Sequence, residues 1–324
     1  MRYLITGGAG FIGSHLADRL LAARNVSVTL LDDFSTGRRE NIAHLEGRPD
    51  ARLVTGSVLN ERLLEEAVRE SDAVFHLASA VGVKLVIEKP VRSIETIVEG
   101  TGAVLRQAAR HHRPVLITST SEVYGKSHAL PFREDGDQVM GATDNQRWAY
   151  ASAKAVGEFL ALAYYRETRL PVVVVRLFNV AGPRQTWKHG MVMPTLVRQA
   201  LLGWPLTVHG DGRQARCFCH VSDAVRGLAG LMRRRKARGE VVNIGAPHEI
   251  TIGQLARRVK KLTGSRSSIR FVPHEEAYQD GFEELARRVP CLEKARRLIG
   301  YRPRKGLDEC ILDTAAWVAR ELGL

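Results

Sequence analysis

A short apolar run followed by a glycine-rich turn constrains this chain more than any other feature of its sequence. Residues Tyr3–Thr6 suit a buried strand, and Gly7-Gly8-Ala9-Gly10-Phe11-Ile12-Gly13 follows at once. Glycines let the backbone turn tightly and approach a pyrophosphate, and the next helix offers free N–H groups at its N-terminus. We therefore predict a dinucleotide site, rather than a simple strand-to-helix turn, with contacts at Gly7, Gly10, Phe11, Ile12 and Gly13.

Apolar runs alternate with helical segments over about the first 180 residues. Several runs are continuous in Val, Ile and Leu, which is typical of parallel strands buried on both faces. The predicted strands are Tyr3–Thr6, Val26–Leu31, Arg52–Thr55, Ala73–Leu77, Val115–Ser119 and Val172–Leu177. The predicted helices include Ser14–Ala23, Glu61–Arg69 and Gly100–His112. This alternation predicts an α/β fold with a doubly wound parallel sheet of the Rossmann type.

The pattern changes after Asn179, where Pro and Gly become frequent and the elements become shorter. We expect residues 1–178 to form the dinucleotide-binding Rossmann domain, with later segments at about 215–247 returning to it. Residues 179–324 are expected to form mainly a smaller, interleaved α/β lobe that binds the substrate.

The second predicted strand ends at Leu31-Asp32-Asp33, about twenty residues past the glycine turn. A carboxylate at this place accepts hydrogen bonds from the adenosine ribose hydroxyls, which favours NAD over NADP. Asp32 is the expected contact. Arg38 and Arg39 follow and leave open a contact with a 2′-phosphate.

Tyr150-Ala151-Ser152-Ala153-Lys154 places a phenol and an ammonium group four residues apart, on one face of a helix. A nearby ammonium group and a nicotinamide cation favour the phenolate, so we expect a lowered pKa for Tyr150. Tyr150 can then remove a hydroxyl proton while hydride leaves the same carbon. This pair is common by chance, and it becomes specific together with the glycine turn and with Ser119-Thr120-Ser121 at a strand end.

With these motifs in place, the chain resembles the extended short-chain dehydrogenase/reductase family of NAD-dependent nucleotide-sugar epimerases, dehydratases and decarboxylases. The likeness covers nearly the whole chain. It comprises TGGAGFIGSH at 6–15, HLAS at 76–79, STSEVYG at 119–125, YxxxK at 150–154, RLFNVAGPRQ at 176–185 and NIGAP at 243–247. The resemblance implies an NAD enzyme whose smaller lobe binds a UDP-linked sugar.

The resemblance also implies roles for individual residues. Thr120 would hydrogen-bond the sugar O4 beside Tyr150, and Lys154 would hold the nicotinamide ribose. Further cofactor contacts are expected from Ser35, Thr36, Gly37, Ser57, Val58, Leu77, Ala78, Ser79 and Lys84. Substrate contacts are expected from Lys84, Asn179, Arg184, Thr207, His209, Arg216 and Arg288, with Asn179 and Arg216 on the diphosphate and Thr207 and His209 along the uracil.

Two positions depart from the family pattern. Ser57 stands where the family usually has an Asp that contacts adenine, and Ile97 stands where a polar residue usually precedes Gly100-Thr101. Both put individual cofactor contacts in doubt, but not the fold.

The residues beside Thr120 bear on the choice between dehydratase, decarboxylase and epimerase reactions. By the resemblance, all these enzymes first oxidise C4 of the sugar. A 4,6-dehydratase needs an Asp-Glu pair, and Ser121-Glu122 takes that place here. The triplet Thr120-Ser121-Glu122, with Arg288 as acid or electrostatic partner, resembles UDP-glucuronate decarboxylases that form a UDP-4-keto-pentose or UDP-xylose. A UDP-glucose or UDP-glucuronate 4-epimerase shares most of these motifs. Glu122 satisfied by backbone amides, and Arg288 as a plain anion clamp, stay open as alternatives.

The formal net charge of +13 raises the question of nucleic-acid binding. The densest basic run, residues 233–238, lies where a helix is expected to end before the strand Glu240–Ile244, and cations suit a helix C-terminus. We favour a solvated surface on an enzyme with anionic substrates, with no nucleic-acid partner.

Neither a membrane span nor a secretory signal is apparent, so we expect a cytoplasmic protein with no membrane partner. The spacing of Cys217 and Cys219 suits packing rather than a metal site. By resemblance, a homodimer would pair through helices near 92–112 and 148–168.

Overall fold

The computed structural model describes residues 1–79, 90–188, 190–273 and 285–324. Its central strands are β1 (Arg2–Thr6), β2 (Ser27–Asp32), β3 (Ala51–Thr55), β4 (Ala73–His76), β5 (Val115–Thr120), β6 (Val172–Leu177) and β11 (Glu240–Ile244). They form one seven-stranded sheet in the order β11-β6-β5-β4-β1-β2-β3, and every pairing is parallel. The expected doubly wound parallel sheet is confirmed.

The strands are buried on both faces, which explains their continuous apolar sequences. In β6, Val172 and Val174 belong to one hydrophobic core, while Val173 and Val175 belong to the core on the opposite face. Since successive side chains of a strand point to opposite sides, a strand covered on both faces has no polar position to alternate with.

Helices cover both faces of this sheet. One layer consists of α1 (Phe11–Leu21), α6 (Val221–Arg233) and α8 (Glu293–Ile299). The other consists of α2 (Glu61–Arg69), α3 (Pro90–Arg110) and α4 (Ala149–Thr168). The prediction for α3 captured only its second half, because the helix extends back to Pro90.

A third core lies in a smaller lobe built by α5 (Val192–Leu201), α7 (Ile252–Leu262) and α9 (Leu307–Leu322). Three small sheets accompany these helices. They pair β8 (Leu206–His209) with β13 (Ile269–Val272), β7 (Val180–Ala181) with β10 (Cys219–His220), and β9 (Ala215–Cys217) with both β12 (Glu249–Thr251) and β14 (Arg287–Arg288).

The chain therefore crosses between the two regions more than once. After β7 to β10 it returns to the large sheet through α6 and β11, and then goes back to the smaller lobe. Within the segment 215–247, β11 is a strand of the large sheet and α6 packs against that sheet, whereas β9 pairs with β12 and β14. The basic run follows the end of α6, and its neighbour β11 has the predicted bounds. The division into domains stays a prediction.

Two smaller expectations concern cysteines and membranes. All four cysteines are buried and free, and Cys217 and Cys219 lie on separate short strands, β9 and β10. Among the helices that the structure describes, none combines the length and the apolar character that a bilayer crossing requires.

Candidate active site

The carboxyl ends of β1, β2, β4, β5 and β6 meet at one edge of the sheet, because the strands are parallel. The glycine turn follows β1, Asp32 ends β2, Leu77–Ser79 follow β4, and Thr120 ends β5. The topology thus collects the residues expected around a dinucleotide at this edge.

The turn after β1 forms a cradle that side chains would fill. Gly7 has φ of +70°, and a Cβ there would lie 2.8 Å from the backbone nitrogen of Ala78. A Cβ on Gly13 would lie 2.1 Å from the carbonyl oxygen of Gly7. Gly10 precedes α1, whose first residues are Phe11 and Ile12, so free N–H groups of the helix face this turn. The cradle fits a pyrophosphate that approaches the backbone closely.

Asp32 is held at the end of β2 by backbone donors. Its carboxylate accepts hydrogen bonds from the N–H of Ala9 at 2.9 Å and of Phe34 at 2.8 Å. Burial raises the pKa of Asp32, and these two hydrogen bonds oppose the rise. Gly37 packs directly against this carboxylate, since a Cβ there would lie 2.5 Å from Asp32 Oδ1. Ser35 and Thr36 lie in the same loop.

The two arginines that could have met a 2′-phosphate are engaged elsewhere. Arg38 Nη1 lies 2.7 Å from Glu321 Oε2, and its guanidinium carbon lies 5.9 Å from the centre of the Trp317 ring. Arg39 Nη1 lies 3.6 Å from Glu46 Oε1. The shorter Arg38 pairing favours NAD over NADP at Asp32, whereas the exposed Arg39 pair is weak.

The remaining cofactor residues follow β3 and β4. Ser57 Oγ accepts a hydrogen bond from the N–H of Leu59, and Val58 is buried. Ala78 donates its N–H to Thr6 Oγ1 at 3.3 Å. Ser79 Oγ is buried without a hydrogen-bond partner among the described residues, as a group that awaits a ligand would be. Leu77 directly precedes Ala78. Ile97, one of the two departures from the family pattern, is buried in α3. Lys84 falls outside the described residues.

Tyr150, Lys154 and Thr120 meet where α4 crosses the end of β5. Thr120 is hydrogen-bonded to the Tyr150 phenol, and Lys154 Nζ donates to the Thr118 carbonyl at 2.9 Å. Burial lowers the pKa of Lys154 to about 8, against the opposing charge of Glu158. The structure therefore brings these three of the six predicted catalytic residues together.

The expected lowering of the Tyr150 pKa is wrong for the protein by itself. Burial raises the pKa of this phenol, and the Glu122 carboxylate raises it further, while Thr120, Arg147 and Arg288 oppose the rise. The prediction counted the ammonium of Lys154 but not the loss of water around the phenol, which disfavours the charged form.

Glu122 lies between two guanidinium groups. Its Oε1 contacts Arg288 Nη1 and its Oε2 contacts Arg147 Nη2, and all three side chains are almost fully buried. Arg288 Nη1 also reaches Ser121 Oγ at 3.5 Å. Burial opposes ionisation of Glu122, but Arg288 and Arg147 outweigh it and lower the pKa to about 2. Among the residues that the structure describes, the Glu122 carboxylate is therefore bound by guanidinium groups rather than, as one alternative had it, by backbone amides.

Arg216 lies next to this cluster. It is buried on β9, and the pairing of β14 with β9 sets Arg288 opposite Arg216. Arg216 Nη1 donates to the carbonyl of Ala215 at 2.8 Å. Asn179, just after β6, donates its amide N–H to the Cys217 carbonyl at 3.4 Å. Guanidinium donors beside an amide suit a diphosphate.

The other predicted substrate residues that the structure describes are Thr207, His209 and Arg184. Thr207 is paired with Gln199 through both its N–H and its hydroxyl, at 3.0 and 3.1 Å. His209 ends the same strand, β8. Arg184 Nη1 lies 2.8 Å from Asp18 Oδ2 on α1, so this guanidinium joins the two regions of the molecule.

Two residues of the site were missed by the sequence reasoning. Arg147 lies three residues before Tyr150, and Glu158 lies four residues after Lys154. Glu158 lies one turn along the face of α4, and this spacing is a signal that could have found it, whereas Arg147 lies in the short 3-10 turn before α4 begins.

The profile of the NAD dependent epimerase/dehydratase family matches residues 3–245. The chain belongs to this family. The membership confirms the resemblance, the enzyme class and NAD as the cofactor.

Named relatives extend the match to the whole chain. A UDP-N-acetyl-alpha-D-glucosaminuronate decarboxylase from Bacillus cytotoxicus is 41% identical over 317 residues, which cover 98% of this chain and 97% of that protein. UDP-glucuronic acid decarboxylase 1 of Danio rerio is 37% identical over 323 residues, which cover 99% and 73%. Among solved structures, UDP-glucuronic acid 4-epimerase from Bacillus cereus, in complex with UDP-glucuronic acid and NAD, superposes with a TM-score of 0.90 at 28% identity, covering 99% of this chain and 100% of that one.

Proposed function

We propose that this protein decarboxylates a UDP-linked hexuronate by way of transient oxidation at C4. The observation that carries the proposal is the cluster of Glu122 with Arg147 and Arg288, beside the Thr120–Tyr150 pair. One carboxylate and two guanidinium groups leave one positive charge in excess at the place where the sugar would react. Such an excess suits a sugar that carries a carboxylate.

The first step needs a base at the sugar O4. Tyr150 takes the O4 proton as a phenolate, a form that a bound nicotinamide cation and the Lys154 ammonium would favour against the burial that raises its pKa. Thr120, which is hydrogen-bonded to the phenol, orients both oxygens. NAD, when bound in the glycine cradle with Asp32 and Lys154, would supply the acceptor for the C4 hydride. Lys154, held by the Thr118 carbonyl, is assigned to the nicotinamide ribose.

Oxidation at C4 places a ketone β to the C5 carboxylate. Loss of carbon dioxide then leaves an enolate, whose negative charge the guanidinium of Arg288 stabilises. Arg288 Nε is buried and has no hydrogen-bond partner among the described residues, so a donor is available for this purpose. Glu122, with a pKa of about 2, stays ionised at neutral pH, and its role is to hold the two arginines rather than to donate a proton.

A 4-epimerase is the second candidate. Thr120, Tyr150 and Lys154 suffice for its chemistry, and the Bacillus cereus UDP-glucuronic acid 4-epimerase shares the fold. A 4,6-dehydratase is disfavoured because Ser121 takes the place of the acidic Asp.

Two hexuronates are candidate substrates, because the relatives named above act on sugars that differ at C2. UDP-glucuronate and its 2-acetamido counterpart share the sugar O4, C5 and carboxylate, so the proposed chemistry applies to both. We expect the relative rates of the two sugars to identify the preferred substrate. Arg216 and Asn179 are assigned to the diphosphate, and Thr207 and His209 to the uracil.

Carboxyl-labelled UDP-glucuronate and UDP-N-acetylglucosaminuronate, each incubated with the NAD-loaded enzyme, test the proposal. Release of labelled carbon dioxide from either sugar supports it. A C4 epimer that retains the label, formed without carbon dioxide, would establish the epimerase instead.

We also propose that two copies pair through α3 and α4. These helices expose apolar side chains, with Phe159 at 70%, Val91 at 67% and Val156 at 49%. Exposed apolar side chains on adjacent helices are typical of an interface. Light scattering should give twice the chain mass for the wild type, and a monomer for Phe159→Glu; a monomeric wild type would contradict the pairing.

A further inference from the structure

Glu158 is buried on α4, although glutamate is rarely buried unless its charge is paired. It lies one helical turn after Lys154 and two after Tyr150, so the three side chains follow one line along the helix. Glu158 is 3% exposed. A glutamate buried so completely needs partners for both carboxylate oxygens.

Those partners come from three other parts of the chain. Arg176 on β6 donates from Nη2 to Oε2 at 2.7 Å and from Nε to Oε1 at 3.0 Å. Ser119 on β5 donates its hydroxyl to Oε1 at 2.5 Å. Gln138 donates to Oε2 at 3.4 Å. Glu158 therefore connects the helix that carries Tyr150 and Lys154 to the strand that ends at Thr120.

The charges around Lys154 are few among the residues that the structure describes. On its own helix, Tyr150 is a neutral phenol and Glu158 an anion. His76 on β4 is uncharged at neutral pH, because burial, with Lys154 nearby, lowers its pKa to about 3. Arg176 on β6 is paired with Glu158. Glu158 is thus the anion that faces the buried ammonium of Lys154.

We propose that Glu158 is a positioning residue which fixes α4 against the ends of β5 and β6 and keeps the Lys154 ammonium charged. The proposal rests on the proposed function only in that Lys154 is assigned to the nicotinamide ribose. Burial disfavours the charged form of Lys154, and Glu158 counteracts it. Removing the anion while keeping the shape should therefore release the Lys154 proton at a lower pH.

The test is a pH titration of the Lys154 side chain by NMR on protein with ¹³C-labelled lysine, with the resonance assigned by Lys154→Met. In Glu158→Gln the midpoint of this titration should fall by about one unit or more. Glu167→Gln, an exposed change on the same helix, is the matched control and should leave the midpoint unchanged. An unaltered Lys154 midpoint in folded Glu158→Gln would overturn the proposal.

Glu158→Gln leaves Arg176 buried without its anion, and this variant can fail to fold. The double variant Glu158→Gln with Arg176→Met removes the whole pair, and it should also lower the Lys154 midpoint, by less than the single change. An unchanged midpoint in the double variant overturns the proposal as well.

Equilibrium binding of NAD gives a second readout. For the Glu158→Gln variant, or for the double variant, the pH above which NAD affinity declines should move down together with the NMR midpoint. NAD affinity that keeps the wild-type pH profile would contradict the assigned role. Both readouts are made without a sugar, so the absence of carbon dioxide release from wild-type enzyme would count against the decarboxylase alone.

Discussion

Two buried glutamates, Glu122 and Glu158, are bound by arginines in different ways. Glu158 has one arginine, and both side chains of the pair are 4% exposed. Its oxygens are also satisfied by Ser119 and Gln138. Glu122 has two arginines, and Arg288 keeps a buried Nε without a hydrogen-bond partner among the described residues.

The difference separates a network that is complete in itself from one that is prepared for a ligand. Around Glu158 the carboxylate and the Arg176 guanidinium balance each other and the donors and acceptors match, so the network can hold a helix against two strands. Around Glu122 one positive charge and one donor are left over. A buried surplus of this kind is costly unless an anion completes it, and a sugar carboxylate or an enolate would do so.

The largest effect is expected at Arg288. Arg288→Gln removes the surplus charge and should reduce carbon dioxide release by about 10²–10³-fold, because a donor to the developing anion is lost. Some stability should also be lost, because Glu122 then keeps only Arg147 as a buried ion-pair partner among the described residues, so rates are compared at a temperature where the variants are folded. Arg287→Gln, on the same strand with an exposed side chain, is the control and should retain wild-type turnover. Equal losses in both variants would contradict the special role of the Glu122 cluster.

Arg176→Met should have its main effect on stability. It leaves Glu158 buried without its cation, and the free energy of unfolding should fall by about 3–5 kcal/mol. Urea denaturation measures this loss. Arg52→Met, which breaks the exposed pair with Glu70, should cost about 1 kcal/mol or less. If the Arg176 change were as mild as the Arg52 change, Glu158 would not depend on its partner.

Acid should weaken the Glu122 cluster within a defined pH range. The pKa of Glu122 in the folded protein, about 2, lies below its ordinary value of 4.5. Its contribution is therefore complete above pH 4.5 and is lost as the pH falls toward 2. The free energy involved is about 3 kcal/mol. Unfolding of wild type and Glu122→Gln should show a steeper acid loss in the wild type; parallel pH profiles would argue against a depressed pKa.

The smallest effect is expected from Arg147→Lys. Lysine keeps the positive charge beside Glu122 but not the planar fork of donors, so turnover should fall by about tenfold or less. Steady-state rates of carbon dioxide release measure this change. A loss as large as that of Arg288→Gln would mean that Arg147 itself contacts the reacting carboxylate.

The comparison also shows what the sequence could and could not reveal. The sheet, the glycine cradle and Asp32 were predictable because each depends on local pattern: apolar runs, glycines and a carboxylate at a strand end. Thr120, Tyr150 and Lys154 were predictable from motif spacing, and the structure brings them together.

Other features depend on contacts distant in sequence. Arg288 meets Glu122 through a two-residue strand 166 positions away, and only a resemblance pointed to it. The partners of Glu158 lie on two strands and a loop, and no spacing joins them. In the protein by itself the pKa of Tyr150 is raised and not lowered, because burial cannot be read from a motif.

Incorporation of deuterium from the solvent at C5 of the sugar tests the central claim most directly. If the Glu122 cluster supports decarboxylation of a UDP-hexuronate, turnover in D₂O must place a solvent deuteron at C5, where the carboxylate left. NMR of the product should then show a pentose with deuterium at C5. A product that retains both its carboxylate and its original C5 proton, with C4 inverted, would contradict the account.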